Sequence, residues 1–178
     1  MPRIGLPEGG VGIRSLFEFR PATARPLLEL AEALLRSEST LSRGERELIA
    51  AYVSRRNQCR FCEMSHSAFA ALQLGEDWDL VESVKADPAS APVSDKLKAL
   101  LAIAAKVQQS GKLVTDDDAD RARQAGATDE EIHDAVLIAA AFCMFNRYVD
   151  GLGVRTPERI DDYLPRARQV VESGYLHR

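Results

Sequence analysis

Residues 41–66 read LSRGERELIAAYVSRRNQCRFCEMSH, and two helices meeting at a short break are legible in them. Ser42 and Glu45 fit the S-x-x-E box, in which hydroxyl and carboxylate satisfy the orphan amides of a helix start. That helix is predicted to run to about residue 57. Asn57-Gln58 is a plausible interruption, and a second helix over 60–74 would then carry Cys59 at or near its N-terminus.

The same signals recur along the chain. Leu27, Leu28, Ala31, Leu34 and Leu35 repeat at helical spacing, as do Leu97, Leu100, Leu101, Ile103, Ala104 and Val107. Thr128 and Glu131 form a second capping box. Gly75, Gly111 and Gly126 follow periodic segments where a left-handed residue ends a helix, and Pro88, Pro92 and Pro157 fall in connectors or first turns. Helices are predicted near 23–37, 42–57, 60–74, 77–85, 94–110, 116–125, 129–150 and 157–173, with no strand. The expected fold is all-α, a multi-helix bundle. A Gly/Pro-rich arm occupies 1–13 and one helical domain occupies 14–178, because no connector is long enough to divide it. Sliding 46–62 onto 133–149 pairs Glu47 with Asp134, Cys59 with Asn146 and Cys62 with Val149, as a degenerate helical repeat would.

Composition narrows the function. The chain has 178 residues, 46% of them hydrophobic, enough for a core that needs no staples. A net charge of −4 from interspersed acids and bases lacks the footprint of a nucleic-acid binder. The N-terminus has no apolar signal region, and the longest apolar run, Ala135 to Phe145, is short for a bilayer. A soluble cytoplasmic protein with no membrane or nucleic-acid partner is expected. Three cysteines, an odd number, argue against a disulfide framework, so a CxxC pair is expected to bind metal or to cycle.

On a helix, Cys59, Cys62 and His66 share one face. A free thiol titrates near 8.5, and helix N-termini, cations and CxxC motifs lower that to about 3.5–7.5. Arg55, Arg56 and Arg60 supply the cations. By helix position Cys59 is the more acidic thiol, while His66 is placed to take a proton from Cys62. Glu47 lies about a third of a turn off this face on a continuous helix, whereas a break near Asn57 folds it back toward His66. There it would orient the imidazole, as the third group of an activated nucleophile does; otherwise it is a solvated acid of the first turn.

Other readings compete. A zinc site needs a fourth ligand, for which Cys143, His133 and His177 are the candidates. Cys143 sits in an apolar run and reads as core, His133 as a surface residue, and His177 as tail. Either cysteine of the pair is also acceptable as a small buried hydrophobe. Thioredoxin-type chemistry is disfavoured without a βαβ pattern. Asn146 and Arg147 form a polar end to the 129–150 helix, either near a site mouth or linking helices.

The pattern E-x11-CxxC-x3-H, with the later stretch AGATDEEIHDAVLIAAAFCMFNRYVDGLGV at 125–154, resembles the alkylhydroperoxidase D-like family of the carboxymuconolactone decarboxylase superfamily, in its peroxidase-related branch. The resemblance covers roughly residues 12–175. It implies an all-helical, homo-oligomeric antioxidant enzyme with no cofactor and no bound metal. Cys62 would be the peroxidatic thiol, Cys59 would donate a proton and then resolve the sulfenic acid to a disulfide, and His66 and Glu47 would move the proton. Its implied partners are a peroxide substrate and a thiol reductant, lipoyl-bearing or thioredoxin-like. Superfamily decarboxylases lack the CxxC pair, which disfavours that reaction; general disulfide exchange is the alternative. One departure is Phe61, where the best-characterised relatives have histidine.

Overall fold

A computed structural model of the chain describes residues 2–177. Among them the helices run, in chain order, α1 (Gly12–Phe19), α2 (Pro21–Arg36), α3 (Arg43–Arg56), α4 (Arg60–Gln73), α5 (Trp78–Ala86), α6 (Asp95–Gln109), α7 (Asp116–Gln124), α8 (Asp129–Leu152) and α9 (Leu164–Ser173), with single 3-10 turns at Gly111–Leu113 and Ile160–Asp162. No strand occurs among the described residues, and the fold is the all-α bundle that the hydrophobic spacing predicts. Both capping boxes form: Ser42 with Glu45, and Thr128 with Glu131.

Two boundaries differ from expectation. The predicted arm ends at residue 13, inside α1, an eight-residue helix too short for its periodicity to stand out. The final helix begins at Leu164, not 157. Pro165 has no amide to donate and is harmless only in a first turn, so the helix starts just ahead of it.

Helix α8, with 24 residues, is the longest among the described residues. Its Ala135, Ile138, Ala139, Phe142 and Phe145 are buried, and it packs against α3 and α6. At 24 residues, with a mean hydropathy of 1.4 over its most apolar window, it is long and apolar enough to cross a membrane, although the apolar run within it is not. Its first turn, Asp129, Glu130 and Glu131, is acidic, and Glu131 binds Lys96 at 2.7 Å. Nor does α8 repeat α3 and α4. It continues unbroken through Met144–Asn146, the residues that the 87-residue shift pairs with the 57–59 break.

Charge is stitched into the far side of the bundle at Asp118. Its carboxylate is 5% exposed and accepts from the Thr115 amide at 2.9 Å, from Lys106 Nζ at 2.6 Å and from Arg121. Lys106 foremost, with the Thr115 amide, holds its pKa far below the usual carboxylate range. A depressed carboxylate contributes stability above its unfolded pKa, about 3.9, and loses it as pH falls through the folded value. Asp118→Asn is therefore expected to cost about 1–3 kcal/mol at pH 7. Thermal melts at pH 7 and pH 3 should show the deficit against wild type shrinking on acidification.

Candidate active site

The site starts from the turn between α3 and α4. The Gln58 amide donates to the Arg55 carbonyl at 3.0 Å and the Cys59 amide to the Ser54 carbonyl at 3.0 Å, the paired bonds of a Schellman cap. Gln58 holds the left-handed position that glycine usually takes, with φ +59°. A polar ladder braces this turn. Gln108 Nε2 donates to Asn57 Oδ1 at 2.9 Å, Asn57 Nδ2 to Asn146 Oδ1 at 2.8 Å, and Asn146 Nδ2 to Ser54 Oγ at 3.0 Å. That is where Asn146 acts, buried between α3 and α8. Arg147 is exposed and donates to the Cys143 carbonyl of its own helix.

Reversing the chain in so few residues lays α4 back along α3. Glu47, 1% exposed, then meets His66: Nδ1 lies 2.6 Å from Oε2. Tyr175 donates its hydroxyl to the other carboxylate oxygen, Oε1, at 2.5 Å. Burial, reinforced by the Glu47 charge, holds the Tyr175 pKa well above its usual value, so the phenol remains a donor. With Glu47 accepting from Nδ1–H, the imidazole Nε2 is the nitrogen left with a lone pair. The ring is fixed edge-on to Phe142 at 4.5 Å and Phe69 at 5.0 Å between centroids.

Tyr175 is the site residue that spacing does not reveal. It arrives from the chain end, past Gly174, whose φ is +86° and whose Cβ, if it had one, would lie 2.7 Å from the Glu32 carboxylate. Glu32 then accepts from the Tyr175 amide at 2.7 Å. A glycine followed by an aromatic just beyond a helix was the signal available in the sequence.

The two sulfurs differ in surroundings. Cys62 lines a cavity of about 390 Å³ together with His66, Phe69, Phe142 and Tyr175. Cys59 does not line it and is fully buried, packed with Leu16, Val149 and Val154. Hydrogen bonding to Cys62, followed by burial, drives the Cys59 pKa far above the ordinary thiol value. This overturns the expectation from helix position. Cys59 is the N-cap of α4, but a dry apolar cluster outweighs the helix end. Nor do the nearby arginines serve the sulfurs: Arg55 faces Glu63 at 3.7 Å, Arg56 lies over the Tyr52 ring, and Arg60 donates to the Glu158 carbonyl at 2.8 Å.

Phe61 packs against the cysteine cluster. Its ring lies beneath Gly12 at the start of α1, where an added Cβ would sit 1.9 Å from ring carbons, and φ of +58° also favours glycine. Gly12→Ala is expected to cost about 1–3 kcal/mol. Urea midpoints should fall, and Cys59 should react faster with a disulfide reagent.

No group of three or more His, Cys, Asp or Glu side chains that could hold a metal occurs among the described residues. Cys143 lies by Asn57 and Gln108, and exposed His133 pairs with Asp134. His177 lines the cavity, but it does not complete such a group.

Comparison with known proteins bears on the family and the fold. The sequence profile of the carboxymuconolactone decarboxylase family matches residues 21–106. No curated protein matches the chain. A crystal structure described as an alkylhydroperoxidase AhpD core, an uncharacterized peroxidase-related protein from Ralstonia eutropha, is similar at 27% identity and a TM-score of 0.78, over 90% of this chain and 83% of that one. An uncharacterized peroxidase-related protein from Silicibacter sp. is similar at 26% identity and a TM-score of 0.77, over 85% and 78%. A protein of unknown function from Agrobacterium tumefaciens shares the fold, with 20% identity and a TM-score of 0.72 over 89% and 100%. Profile, fold and the E-x11-CxxC-x3-H register converge: residues 21–106 match the carboxymuconolactone decarboxylase family, and the chain is similar to its alkylhydroperoxidase D-like, peroxidase-related proteins.

Proposed function

We propose that the chain is a thiol-dependent peroxidase that reduces hydrogen peroxide or organic hydroperoxides through a Cys62 sulfenic acid and a Cys59–Cys62 disulfide. The observation that carries this reading is the division of labour between the sulfurs: Cys62 on the cavity wall, and Cys59 beneath it as a protonated donor. His66, with Nδ1 tied to Glu47, takes the Cys62 proton on Nε2. The Cys62 thiolate attacks one peroxide oxygen, the O–O bond breaks, and the alkoxide leaves with a proton from the imidazolium, giving an alcohol and a sulfenic acid. Cys59 sulfur then attacks Cys62 sulfur. The S–S bond forms, and hydroxide leaves with the Cys59 proton as water.

Two thiols are oxidised for each peroxide reduced. An external dithiol, lipoyl-bearing or thioredoxin-like, returns them by exchange. Cytoplasm is the compartment this cycle suits. We also read the protein as a homo-oligomer, with exposed Leu137, Ala140 and Met144 of α8 as a face for a second copy; light scattering tests this. For the peroxidase reading, one equivalent of hydroperoxide added to reduced protein should consume two of the three thiols rapidly. No fast loss would overturn it.

A further inference from the structure

We infer that the cavity selects hydroperoxides that carry a carboxylate on an apolar body, as a fatty-acid hydroperoxide does, with Arg166 and Arg14 reading the negative charge. The inference rests on the peroxidase reading for its chemistry and adds the substrate class. Hydrogen peroxide alone needs little more than the thiol and its base. Here the space beside Cys62 is about 390 Å³, a size that takes an organic ligand, and Leu27, Leu28 and Ala31 of α2 wall it opposite the aromatic rings. An alkyl chain gains by leaving water in such a cavity, in proportion to the apolar surface it buries.

Charge enters where this cavity adjoins a second groove of about 540 Å³. Arg14 of α1 and Arg166 of α9 line both spaces. Among the described residues neither forms an ion pair with a carboxylate. Arg166 Nη1 instead donates to the side-chain oxygen of Gln169 at 2.8 Å and to the His177 carbonyl at 3.2 Å. Burial, and then the like charge of Arg14, lowers the Arg166 pKa. Acids do occur nearby, Glu18 on the cavity and Glu158 and Asp162 on the groove, yet they do not pair with these two arginines. Two cations lining one opening, neither of them ion-paired, favour an anion there, and the planar guanidinium matches a carboxylate through two parallel bonds. A carboxylate at this end leaves the apolar body in the cavity and directs the hydroperoxide toward Cys62 and His66. No redox step is added to the proposed cycle.

Two measurements test the assignment. In the first, the rate of thiol loss is followed by stopped flow with a fatty-acid hydroperoxide and with its methyl ester. The ratio of their kcat/KM values is then compared among wild type, Arg166→Gln, Arg14→Gln and Arg166→Lys. The free acid should react about tenfold faster than the ester in wild type. Each Gln variant should bring that ratio toward one, and Lys should restore part of it. A ratio between acid and ester cancels general effects on folding or on the thiol. In the second, decanoate, which has no peroxide group, is titrated calorimetrically into the reduced protein. Binding should weaken about tenfold in Arg166→Gln and at high salt. Equal rates for acid and ester, or decanoate binding indifferent to both arginines, overturns the assignment. Decanoate binding of the expected kind without any peroxide-driven thiol loss would overturn the peroxidase reading instead and leave a carboxylate-binding cavity.

Discussion

Cys62→Ser is expected to abolish rapid consumption of peroxide, whereas Cys59→Ser should still consume one equivalent and stop at a sulfenic acid. Both variants lose the disulfide, so only the first step separates them. Cys62 is the sulfur on the wall of the cavity that His66 also lines, and serine there offers a hydroxyl too weakly acidic to attack at neutral pH. The rate should fall to background, a loss of at least about a thousandfold given what removal of an activated nucleophile costs elsewhere. Cys59 is closed off by Leu16, Val149 and Val154, and its proton is held by Cys62 and by burial. Without it the sulfenic acid has no partner at hand and should be trapped by a dimedone reagent, detectable by mass. The assignment fails if Cys59→Ser is the inert variant and Cys62→Ser the one that forms the dimedone adduct, since the sulfur on the cavity wall and the one outside it would then have exchanged roles.

What could be read from the sequence was local. The capping boxes at Ser42 and Thr128, and the break at Asn57-Gln58, depend on residues within one turn of each other, so their signals survive in the linear chain. Glu47 beside His66 also follows from that break, because reversing a helix at 57–59 folds position 47 back toward position 66. Three features depended on distant residues and were hidden for that reason. Cys59 sits at a helix start, which suggests an acidic thiol, but its pKa is raised by the hydrogen bond to Cys62 and then by burial among residues of α1, α8 and the loop after it. Helix α1 is recognisable only once Gly12 has Phe61 to lie against. Tyr175 reaches Glu47 across 128 positions of sequence, through the path the chain takes after Gly174.

That last contact makes Glu47→Gln more informative than a simple loss of charge. The introduced amide would have one oxygen and one NH2 to present, and Tyr175 is a committed donor 2.5 Å from the Oε1 position. The amide oxygen is therefore turned toward Tyr175, and its NH2 faces His66 Nδ1. Nδ1 then has to accept, the ring proton moves to Nε2, and the nitrogen that serves as base in the proposed cycle can no longer take a proton. First-step thiol oxidation should fall about 10²–10⁴-fold, the contribution of a positioned general base. Tyr175→Phe alone should lose less, about tenfold, and lower stability by about 1–3 kcal/mol through the unpaired buried carboxylate oxygen. In the double variant the constraint is gone: the amide can rotate its oxygen back to Nδ1–H and return the lone pair to Nε2. Glu47→Gln/Tyr175→Phe should therefore oxidise faster than Glu47→Gln, with pre-steady-state rates and thermal melts recorded on all four proteins. Additive losses, with the double variant slowest, would show that Glu47 acts on His66 through charge and not through the choice of tautomer.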